Sequence, residues 1–325
     1  MKRALSILGI VTLLNVFIAC HCAQGAINGW DNFNSNTENL TNWGSDIVYG
    51  GGTLTQTNQH VEYTDASPLI NDEDYSYRPW ILNQPAYNGT NWEVILDVGN
   101  SSAPTAVDQV SSLGIQVFAA NNLNNSVFVE LYSSSSNSLP ARYGFYTAID
   151  TNDSDIFSND TGDLGCTNGA VRLVYNSQTK VFTTYYDAGG SAETGYNWTP
   201  LASFGINNSG GVVGNVSWGL RGSQAFQVTI YGFDSNIAVS PGQMWMDNFS
   251  AATAATQSPS VTNYLAGQSM TLAWPQSAFN FSLQETTSLV SNSWPSVSQP
   301  ITLSNGIYSV SIPITGNSGF FRLAK

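Results

Sequence analysis

Two carboxylate side chains, Glu93 and Asp97, lie four residues apart in a stretch that alternates apolar and polar residues. In a β-strand, residues an even number of positions apart point to the same face, so these two acids would share one. Two carboxyl groups flanking a glycosidic bond are the catalytic pair of most glycoside hydrolases. The spacing therefore allows a carboxylate-pair hydrolase, and the alternative is a solvated or structural strand face.

Oxygen ligands are concentrated in residues 150–155, and Asp160 and Asp163 follow. Ca²⁺ prefers carboxylate and carbonyl oxygens of this kind. The run begins as Asp-x-Asn-x-Ser, but its sixth residue is Asp155 and its twelfth is Thr161. An EF-hand loop needs Gly and Glu at those two positions. The run is therefore either a hydrated acidic turn or a metal site of another type.

Sugar binding needs exposed aromatic rings that lie against pyranose faces, framed by polar side chains. Residues 72–80 combine acids, aromatic rings and an arginine, and we interpret them as a surface loop. Residues 142–143 form a smaller set of the same kind. The candidate ligand-binding residues are Tyr75, Tyr77, Arg78, Trp80, Arg142 and Tyr143. We interpret Trp92, Trp218 and Trp245 as core residues instead.

The N-terminal segment has the three parts of a secretory signal peptide. Lys2 and Arg3 precede an apolar run over residues 5–19, and small residues follow at 23–26. We therefore expect residues 1–25 to be removed and the mature chain to be secreted. Cys20 follows an apolar triplet and loosely resembles a lipoprotein cleavage site, so a lipid-anchored surface protein is the alternative. No later stretch reaches the roughly 20 apolar residues of a transmembrane segment.

Removal of this segment would leave few groups for nucleophilic or imidazole chemistry. Cys166 would be the remaining thiol, which excludes an internal disulfide, and His60 the remaining imidazole. Cys166 lies in a turn-like run without a neighbouring histidine, so we interpret it as a half-buried structural thiol. Catalytic triads and zinc sites built on several histidines are disfavoured.

The composition indicates a folded chain with an acidic surface. Of 325 residues, 42% are hydrophobic and 12% are aromatic, enough for one large domain or two ordinary ones. The formal net charge is -13 and the pI is near 4.2. Such an excess of negative charge argues against nucleic acid as a partner, because nucleic acids are bound through phosphate contacts to basic groups.

The elements that would position these groups are strands. Residues 92–98 alternate with period two, and residues 114–118 and 127–132 are rich in β-branched and aromatic side chains. Residues 172–175 and 181–186 flank a five-residue polar turn and predict an antiparallel hairpin. Further strands are predicted at 212–213, 216–220, 226–232 and 243–249. Many short strands and no helical period indicate an all-β sandwich or jelly roll.

A second unit of the same kind is predicted at the end of the chain. Residues 251–260 are small and polar, as in a linker, and we place the domain boundary near Thr256. This divides the mature chain into domains at 26–255 and 256–325. The tail strands are predicted at 269–274, 279–285, 307–312 and 320–323. Their number and spacing suit a small β-sandwich of the immunoglobulin or fibronectin kind.

Three motifs resemble those of the concanavalin A-like (laminin G-like, glucanase-type) jelly roll, over about residues 30–251. They are the opening Trp30-Asp-Asn-Phe33 with Trp43 downstream, the hairpin at 172–186 with its exit at 187–201, and the closing Trp245-Met-Asp-Asn-Phe249. The tail resembles a C-terminal module of secreted proteins of the Verrucomicrobia and Planctomycetes type. That likeness rests on residues 270–274, 281–289, Trp294 and 319–323.

The resemblance implies an antiparallel sandwich and, as in many related jelly rolls, a structural Ca²⁺ where the first and last strands lie side by side. The acid of the closing motif is commonly a ligand there. The resemblance therefore nominates Asp247, with Asp31 as its neighbour, and the alternative is that both acids cap strand ends by hydrogen bonds. Glucanases of this kind also carry Glu-x-Asp-x-x-Glu on one strand, and this sequence has no such run.

Together these observations favour a secreted, non-catalytic binding module that recognises carbohydrate or another cell-surface component. Two alternatives stay open. One is a polysaccharide-active hydrolase or lyase with a non-standard carboxylate pair. The other is a structural or surface-assembly protein.

Overall fold

A computed structural model of the chain describes residues 27–70, 72–82, 86–135, 141–221, 224–253, 261–266, 269–275, 281–287, 293–304, 307–314 and 319–324. The predicted signal peptide at 1–25, with Cys20, and most of the predicted linker lie outside these residues. The described residues fall into two compact units. The first runs to Gly189 and resumes at Trp198–Thr253, and the second comprises Gly190–Asn197 and the tail.

The first unit consists of strands β1 to β17. These are β1 Gly29–Asp31, β2 Ile47–Tyr49, β3 Thr53–Thr57, β4 His60–Thr64, β5 Glu73–Pro79, β6 Ala86–Tyr87, β7 Trp92–Asn100, β8 Val110–Ala119, β9 Asn122–Ser134, β10 Arg142–Asp150, β11 Asp155–Asp160, β12 Asn168–Asn176, β13 Val181–Ala188, β14 Thr199–Gly205, β15 Gly214–Asn215, β16 Ala225–Ser235 and β17 Met244–Thr253.

These strands form two sheets. The nine-stranded sheet has the order β15-β14-β13-β12-β7-β17-β4-β3, with β1 paired to β17. The eight-stranded sheet has the order β11-β10-β9-β8-β16-β5-β2, with β6 paired to β16. Neighbouring strands are antiparallel except β14 and β15, which are parallel. The first unit is therefore an all-β sandwich, as the sequence predicted.

Apolar side chains from alternate strand positions fill the space between the two sheets. On β7 of the nine-stranded sheet, Val94 and Leu96 point inward, and on β8 and β9 of the eight-stranded sheet Ile115 and Val129 do the same. All four side chains are completely buried in one continuous apolar core. Burial of this size is the main favourable term in folding, so the core fixes which face of every strand is turned inward.

Aromatic packing closes one part of this core around Trp43, Trp80 and Phe249. The ring centroids of Trp43 lie 4.8 Å from those of both other residues, and the centroids of Trp80 and Phe249 lie 4.6 Å apart. Asp31 accepts hydrogen bonds from the Trp43 Nε1–H at 3.0 Å and from the Phe33 backbone N–H at 2.9 Å. The opening motif thus anchors the first strand to the core.

Most predicted strands are present with longer bounds, and the predicted hairpin is confirmed by the register of β12 and β13. Five interpretations are wrong. Residues 212–213 are a bend rather than a strand, and β15 follows them. Trp245 is half-buried and not a core residue, because on β17 it alternates with the core residues Met244 and Met246. Residues 72–80 are not a loop, because Glu73–Pro79 pairs with β16 and β2. Residues 216–220 form no strand, because Gly219 has a positive φ of 65° and Trp218 turns into the core. The predicted linker starts too early, because Ala251 and Ala252 are buried strand residues of β17.

The second unit has its own small sheets. It contains β18 Thr262–Ala266, β19 Ser269–Pro275, β20 Ser282–Thr286, β21 Thr302–Ser304, β22 Ile307–Pro313 and β23 Phe320–Ala324. A four-stranded sheet has the order β18-β19-β22-β21, and β20 pairs with β23. Trp274, Leu283 and Val310 are among its buried residues.

Throughout the described part of the chain, no helix is long and apolar enough to cross a membrane.

Substitution Trp80→Ala is expected to lower the free energy of unfolding by about 3 to 5 kcal/mol, because it opens a cavity beside Trp43 and Phe249. Leu40→Ala is the matched control, since the Leu40 side chain is 70% exposed. It should change stability by no more than about 0.5 kcal/mol. Chemical denaturation of both variants checks this, and equal effects of the two substitutions would contradict the position of Trp80.

Candidate functional site

The outer face of the eight-stranded sheet, turned away from the core, carries a line of aromatic and carboxyl side chains. Tyr77 pairs in register with Tyr231, Tyr231 with Gly114, Gly114 with Glu130, and Glu130 with Tyr146. One line of register therefore crosses five strands, β5, β16, β8, β9 and β10. Alternation places the inward residues between these positions, so this line belongs to the outer face.

A continuous aromatic row runs across that face. It consists of Tyr49, Tyr75, Tyr77, Tyr231, Phe128 and Tyr146, in spatial order. Successive ring centroids lie 5.1, 5.2, 5.7, 6.3 and 5.8 Å apart, within the range of favourable ring contacts. The Tyr49 ring at one end is 38% exposed, Tyr77 and Tyr146 are half-buried, and the others are buried against their neighbours. The row forms an apolar floor with phenol groups along it.

Glu130 is the charged group in the middle of the row. Its carboxylate accepts a short hydrogen bond from the Tyr231 hydroxyl, although β16 and β9 are separated by β8. Two strand spacings amount to about 9 to 10 Å. Two long side chains can bridge that distance only if the residue between them, on β8, has no side chain in the way. Gly114 is that position, since it lies in register between the two residues. Glu130 is 1% exposed.

An acidic end adjoins the row where β10 turns into β11. Ser126 donates a hydrogen bond to Asp150 Oδ2 at 2.8 Å, and Gln116 Nε2 donates to Ser126 Oγ at 2.8 Å. The Tyr146 hydroxyl donates to Asp155 Oδ2 at 2.8 Å. The aromatic row thus ends in a hydrogen-bonded set of two carboxyl groups, a hydroxyl and an amide.

Burial and neighbouring charge control protonation on this face. Burial above all, and then the Asp155 carboxyl beside it, raise the pKa of Asp150 well above its usual range. Burial also raises the pKa of Tyr77 and of Tyr75, with Glu73 nearby adding to the effect. At neutral pH the two phenols are therefore hydrogen-bond donors, and Asp150 has a strong tendency to keep its proton.

The structure brings together only part of the predicted ligand-binding set. Tyr75, Tyr77 and Arg142 lie on the outer face, by their register with Phe233, Tyr231 and Ser134. Trp80 belongs to the core and has no face exposed to a ligand. Tyr143 follows Arg142 on β10 and therefore points to the opposite side.

Arg78 also points inward and is almost completely buried. Its Nε and Nη2 donate to Asp46 at 2.7 and 2.8 Å, and Nη2 also donates to the Leu54 carbonyl oxygen at 3.0 Å. Glu38 Oε1 lies 3.4 Å from Arg78 Nε. The guanidinium thus neutralises acids of the sandwich itself rather than facing solvent, a correction to its interpretation as a loop residue.

The predicted carboxylate pair lies on the nine-stranded sheet, away from the aromatic row. Glu93 forms an ion pair with Arg172 at 2.7 Å, and Asp97 accepts a hydrogen bond from Asn248 Nδ2 at 3.0 Å. Each acid thus has a structural partner on a neighbouring strand.

The two nominated metal ligands have hydrogen-bonding roles. Both oxygens of Asp31 accept N–H donors, since Asn42 Nδ2 also donates to Oδ2 at 3.2 Å, and Asp247 Oδ1 accepts the Asn248 backbone N–H at 2.7 Å. A Ca²⁺ at these acids stays a prediction.

Turn geometry accounts for part of the acidic run. Asn152 and Asp153 form the turn between β10 and β11 with positive φ, and Asp160 and Asp163 accept backbone N–H groups of Gly162 and Gly165. Within the described ranges, one group of acids is close enough to share an ion. It comprises Asp65, Asp74 and Asp234.

His60 and Cys166 contribute no nucleophile to the outer face. His60 Nε2 lies 2.9 Å from Glu62 Oε1, on the nine-stranded sheet. Cys166 is half-buried against the core, as the sequence suggested, and burial raises the pKa of its thiol. A raised pKa keeps the sulfur protonated and unreactive at neutral pH.

Sequence reasoning missed Glu130, Tyr231, Phe128 and Tyr146 as members of a site. The available signal was double alternation, because residues 127–132 are apolar at every position except 130. A strand that is apolar on both faces must either bury both faces or expose apolar side chains on one of them. An acid among aromatic rings on the second face therefore indicates a functional surface rather than a solvated one.

No protein-family model matches the sequence, and neither does any curated protein. Among solved structures, a Lotus tetragonolobus seed lectin is 15% identical, with a TM-score of 0.44 over 71% of this chain and 99% of the lectin. The CBM2 module of an evolved Dit protein from Lactobacillus casei BL23 phage J-1 is 11% identical, with a TM-score of 0.43 over 72% and 98%.

Bacteroides ovatus GH43B of a xyloglucan PUL is 12% identical, with a TM-score of 0.44 over 69% of this chain and 39% of that protein. At this level of likeness, the architecture rests on the strand pairing described above and the chemistry on the side chains of the outer face.

Substitution Asp150→Asn is expected to flatten the dependence of stability on pH. Because the folded state holds the Asp150 proton to higher pH than the unfolded chain does, wild-type stability should fall as pH rises above about 4, the usual pKa of Asp. Asn cannot titrate but can still accept the Ser126 hydrogen bond. Urea denaturation at a series of pH values from about 4 to neutrality measures the difference, and parallel curves for the two proteins would contradict the protonated state.

Proposed function

We propose that the chain is an exported carbohydrate-binding protein whose ligand lies along the aromatic row on the outer face of the eight-stranded sheet. The observation that carries this proposal is the row itself, six rings in contact across one sheet face, with a carboxylate at its centre. We also propose that the first unit is a concanavalin A-like jelly roll, a proposal that the opening and closing motifs support.

The rings suit the apolar faces of sugars. Aromatic side chains bury large apolar areas in fixed orientations, and Tyr adds a hydroxyl that can donate to a sugar oxygen. The row crosses six neighbouring strands, from β2 to β10, and so extends across most of the sheet, which favours a chain of sugar units over a single one. Tyr49, Tyr77 and Tyr146, the more exposed rings, are the proposed contact points.

Polar groups beside the row would fix the orientation of such a ligand. Asp155 is partly exposed and supplies an acceptor for hydroxyl groups, and Glu130 holds the Tyr231 hydroxyl in place. Pockets that are mostly apolar with a few placed polar groups have this arrangement. Carboxylates on this face and a net charge of -13 favour an uncharged glycan over an acidic one.

Export is supported by the sequence alone. The charged start, apolar run and small residues of 1–25 fit a signal peptide, and the likeness of the tail to modules of secreted proteins points the same way. The surface-assembly alternative would apply if neither glycan binding nor cleavage is found.

Substitutions Tyr77→Ala and Tyr231→Phe test the proposed surface. Loss of the Tyr77 ring should weaken binding of a neutral polysaccharide by about tenfold or more, equivalent to about 1.4 kcal/mol. Tyr231→Phe keeps the ring but releases Glu130, so it should also weaken binding. Tyr264→Ala, an exposed ring of the second unit, is the matched control and should have no effect.

Affinity electrophoresis and a glycan array measure these effects, and circular dichroism checks that each variant is folded. Unchanged affinity in both variants, or no binding to any neutral glycan on a broad panel, would contradict the proposed surface.

A second candidate function, glycan cleavage, is favoured by one observation. Asp150 tends to stay protonated beside Asp155 at the end of the aromatic row, and a carboxylic acid kept neutral is the general acid of glycosidases. If this applies, wild-type protein should release reducing ends and Asp150→Asn should reduce the rate by at least about 100-fold. Binding without such release would exclude this candidate and leave the binding function.

A further inference from the structure

Three buried carboxylates meet at one end of the sandwich, away from the aromatic row. Asp74 on β5 and Asp234 on β16 are direct cross-strand partners on the inner face of the eight-stranded sheet. Asp65 follows β4 of the nine-stranded sheet and is held by two backbone hydrogen bonds to Val239, at 3.0 and 2.7 Å. Oxygens of all three acids lie within 4.8 Å of one another.

This arrangement lacks a compensating positive charge. Asp74 and Asp234 are 0% exposed and Asp65 is 2% exposed. None of the ion pairs formed among the described residues includes any of the three. Like charges directly opposite one another in a sheet are destabilising, and buried charges are normally paired or coordinate a metal. The cluster therefore calls for a bound cation or for shared protons.

The hydrogen bonds of the cluster leave some oxygens without a donor. Asp74 accepts the backbone N–H groups of Gly51 and Leu69, both at 2.6 Å, and Asp234 Oδ1 accepts the Tyr63 hydroxyl at 2.8 Å. Asp65 Oδ1 accepts the Ser67 N–H at 2.7 Å. Asp65 Oδ2 and Asp234 Oδ2 receive no hydrogen bond from any described residue. Two unpartnered oxygens thus lie in a cluster where a hard cation would find three carboxylates.

A run of three glycines brings the backbone close to the acids. Gly50 has a positive φ of 75°, and a Cβ there would collide with the Asp74 carboxylate. A Cβ at Gly51 would lie 2.8 Å from Asp65 Oδ1, and one at Gly52 would collide with the Tyr63 hydroxyl. The glycines therefore allow a main-chain loop to approach the cluster more closely than residues with side chains could.

From this geometry we propose that Asp65, Asp74 and Asp234 bind one structural Ca²⁺ between the two sheets. Ca²⁺ takes six to eight oxygen ligands at about 2.3 to 2.6 Å, so two ligands of one ion are at most about 5 Å apart, and the oxygens of the cluster lie within that limit. The ion would offset two of the three buried negative charges and link the segment after β4 of one sheet to β5 and β16 of the other. This site is separate from Asp31 and Asp247.

Metal analysis and thermal unfolding of the full chain test the proposal. After chelation and dialysis against CaCl₂, wild-type protein should retain one Ca²⁺ per chain. Excess Ca²⁺ at about 100 times its Kd should raise the Tm by at least about 5 °C relative to EDTA. Asp234→Asn and Asp65→Asn should each lose the bound ion and the shift. Both keep hydrogen-bond acceptors and relieve charge repulsion, so we expect them to fold without metal.

Asp247→Asn and Asp31→Asn are the control variants, and each should keep both the ion and the shift. Tb³⁺ luminescence of wild-type protein gives a readout that needs no variant. Excitation of nearby aromatic residues such as Tyr63 should sensitise emission, and Ca²⁺ should displace the Tb³⁺. The proposal is overturned if wild-type protein retains no Ca²⁺ and shows equal Tm in Ca²⁺ and EDTA. It is also overturned if Asp247→Asn or Asp31→Asn, but not Asp234→Asn, abolishes binding.

Discussion

The packing of the two sheets against each other is the interaction on which the rest of the structure depends. It turns one side of every strand inward. A one-residue slip in the pairing of two strands would turn the buried side chains outward, so the register of each strand pair is fixed. In the eight-stranded sheet, the residues that alternate with Ile115 and Val129 are then forced to the outer face. Glu130, Tyr231 and Phe128 are there because their neighbours are core residues.

Glycines let this arrangement bring distant acids and phenols into contact. Gly114 leaves the space over which Tyr231 reaches Glu130, and the glycines at 50–52 let a main-chain loop approach Asp65 and Asp74. The two sites have opposite characters. The outer face carries rings with a few polar groups and suits a large, uncharged ligand, whereas the buried acids suit a small, hard cation.

Much of the fold was predictable from the sequence, because period-two patterns such as residues 92–98 and the hairpin around 176–180 are local signals. The candidate site was less so. The sequence predicts Tyr75 and Tyr77 as ligand-binding residues, but it also predicts a loop for this segment and places Arg78 and Trp80 in the same set. On a strand, neighbours point in opposite directions, so the segment supplies rings to the outer face and an arginine to the inner one.

The sequence carries no signal for which residues meet through strand pairing. Asp74 and Asp234 are direct partners although 160 positions separate them in the chain, and Glu130 and Tyr231 are brought together across β8. No spacing rule within one segment can anticipate such pairs, because register between distant strands is set by the whole core. The predicted Glu93 and Asp97 share a strand and a face, but each is bound to a residue of another strand, Arg172 and Asn248.

The claim that the outer face of the eight-stranded sheet is the ligand surface can be tested most directly by a crystal structure of the protein with a bound neutral oligosaccharide. We expect sugar rings lying over Tyr77 and Tyr146, with hydroxyl groups within hydrogen-bond distance of Asp155. An oligosaccharide bound elsewhere on the protein, with the aromatic row covered by water alone, would contradict it.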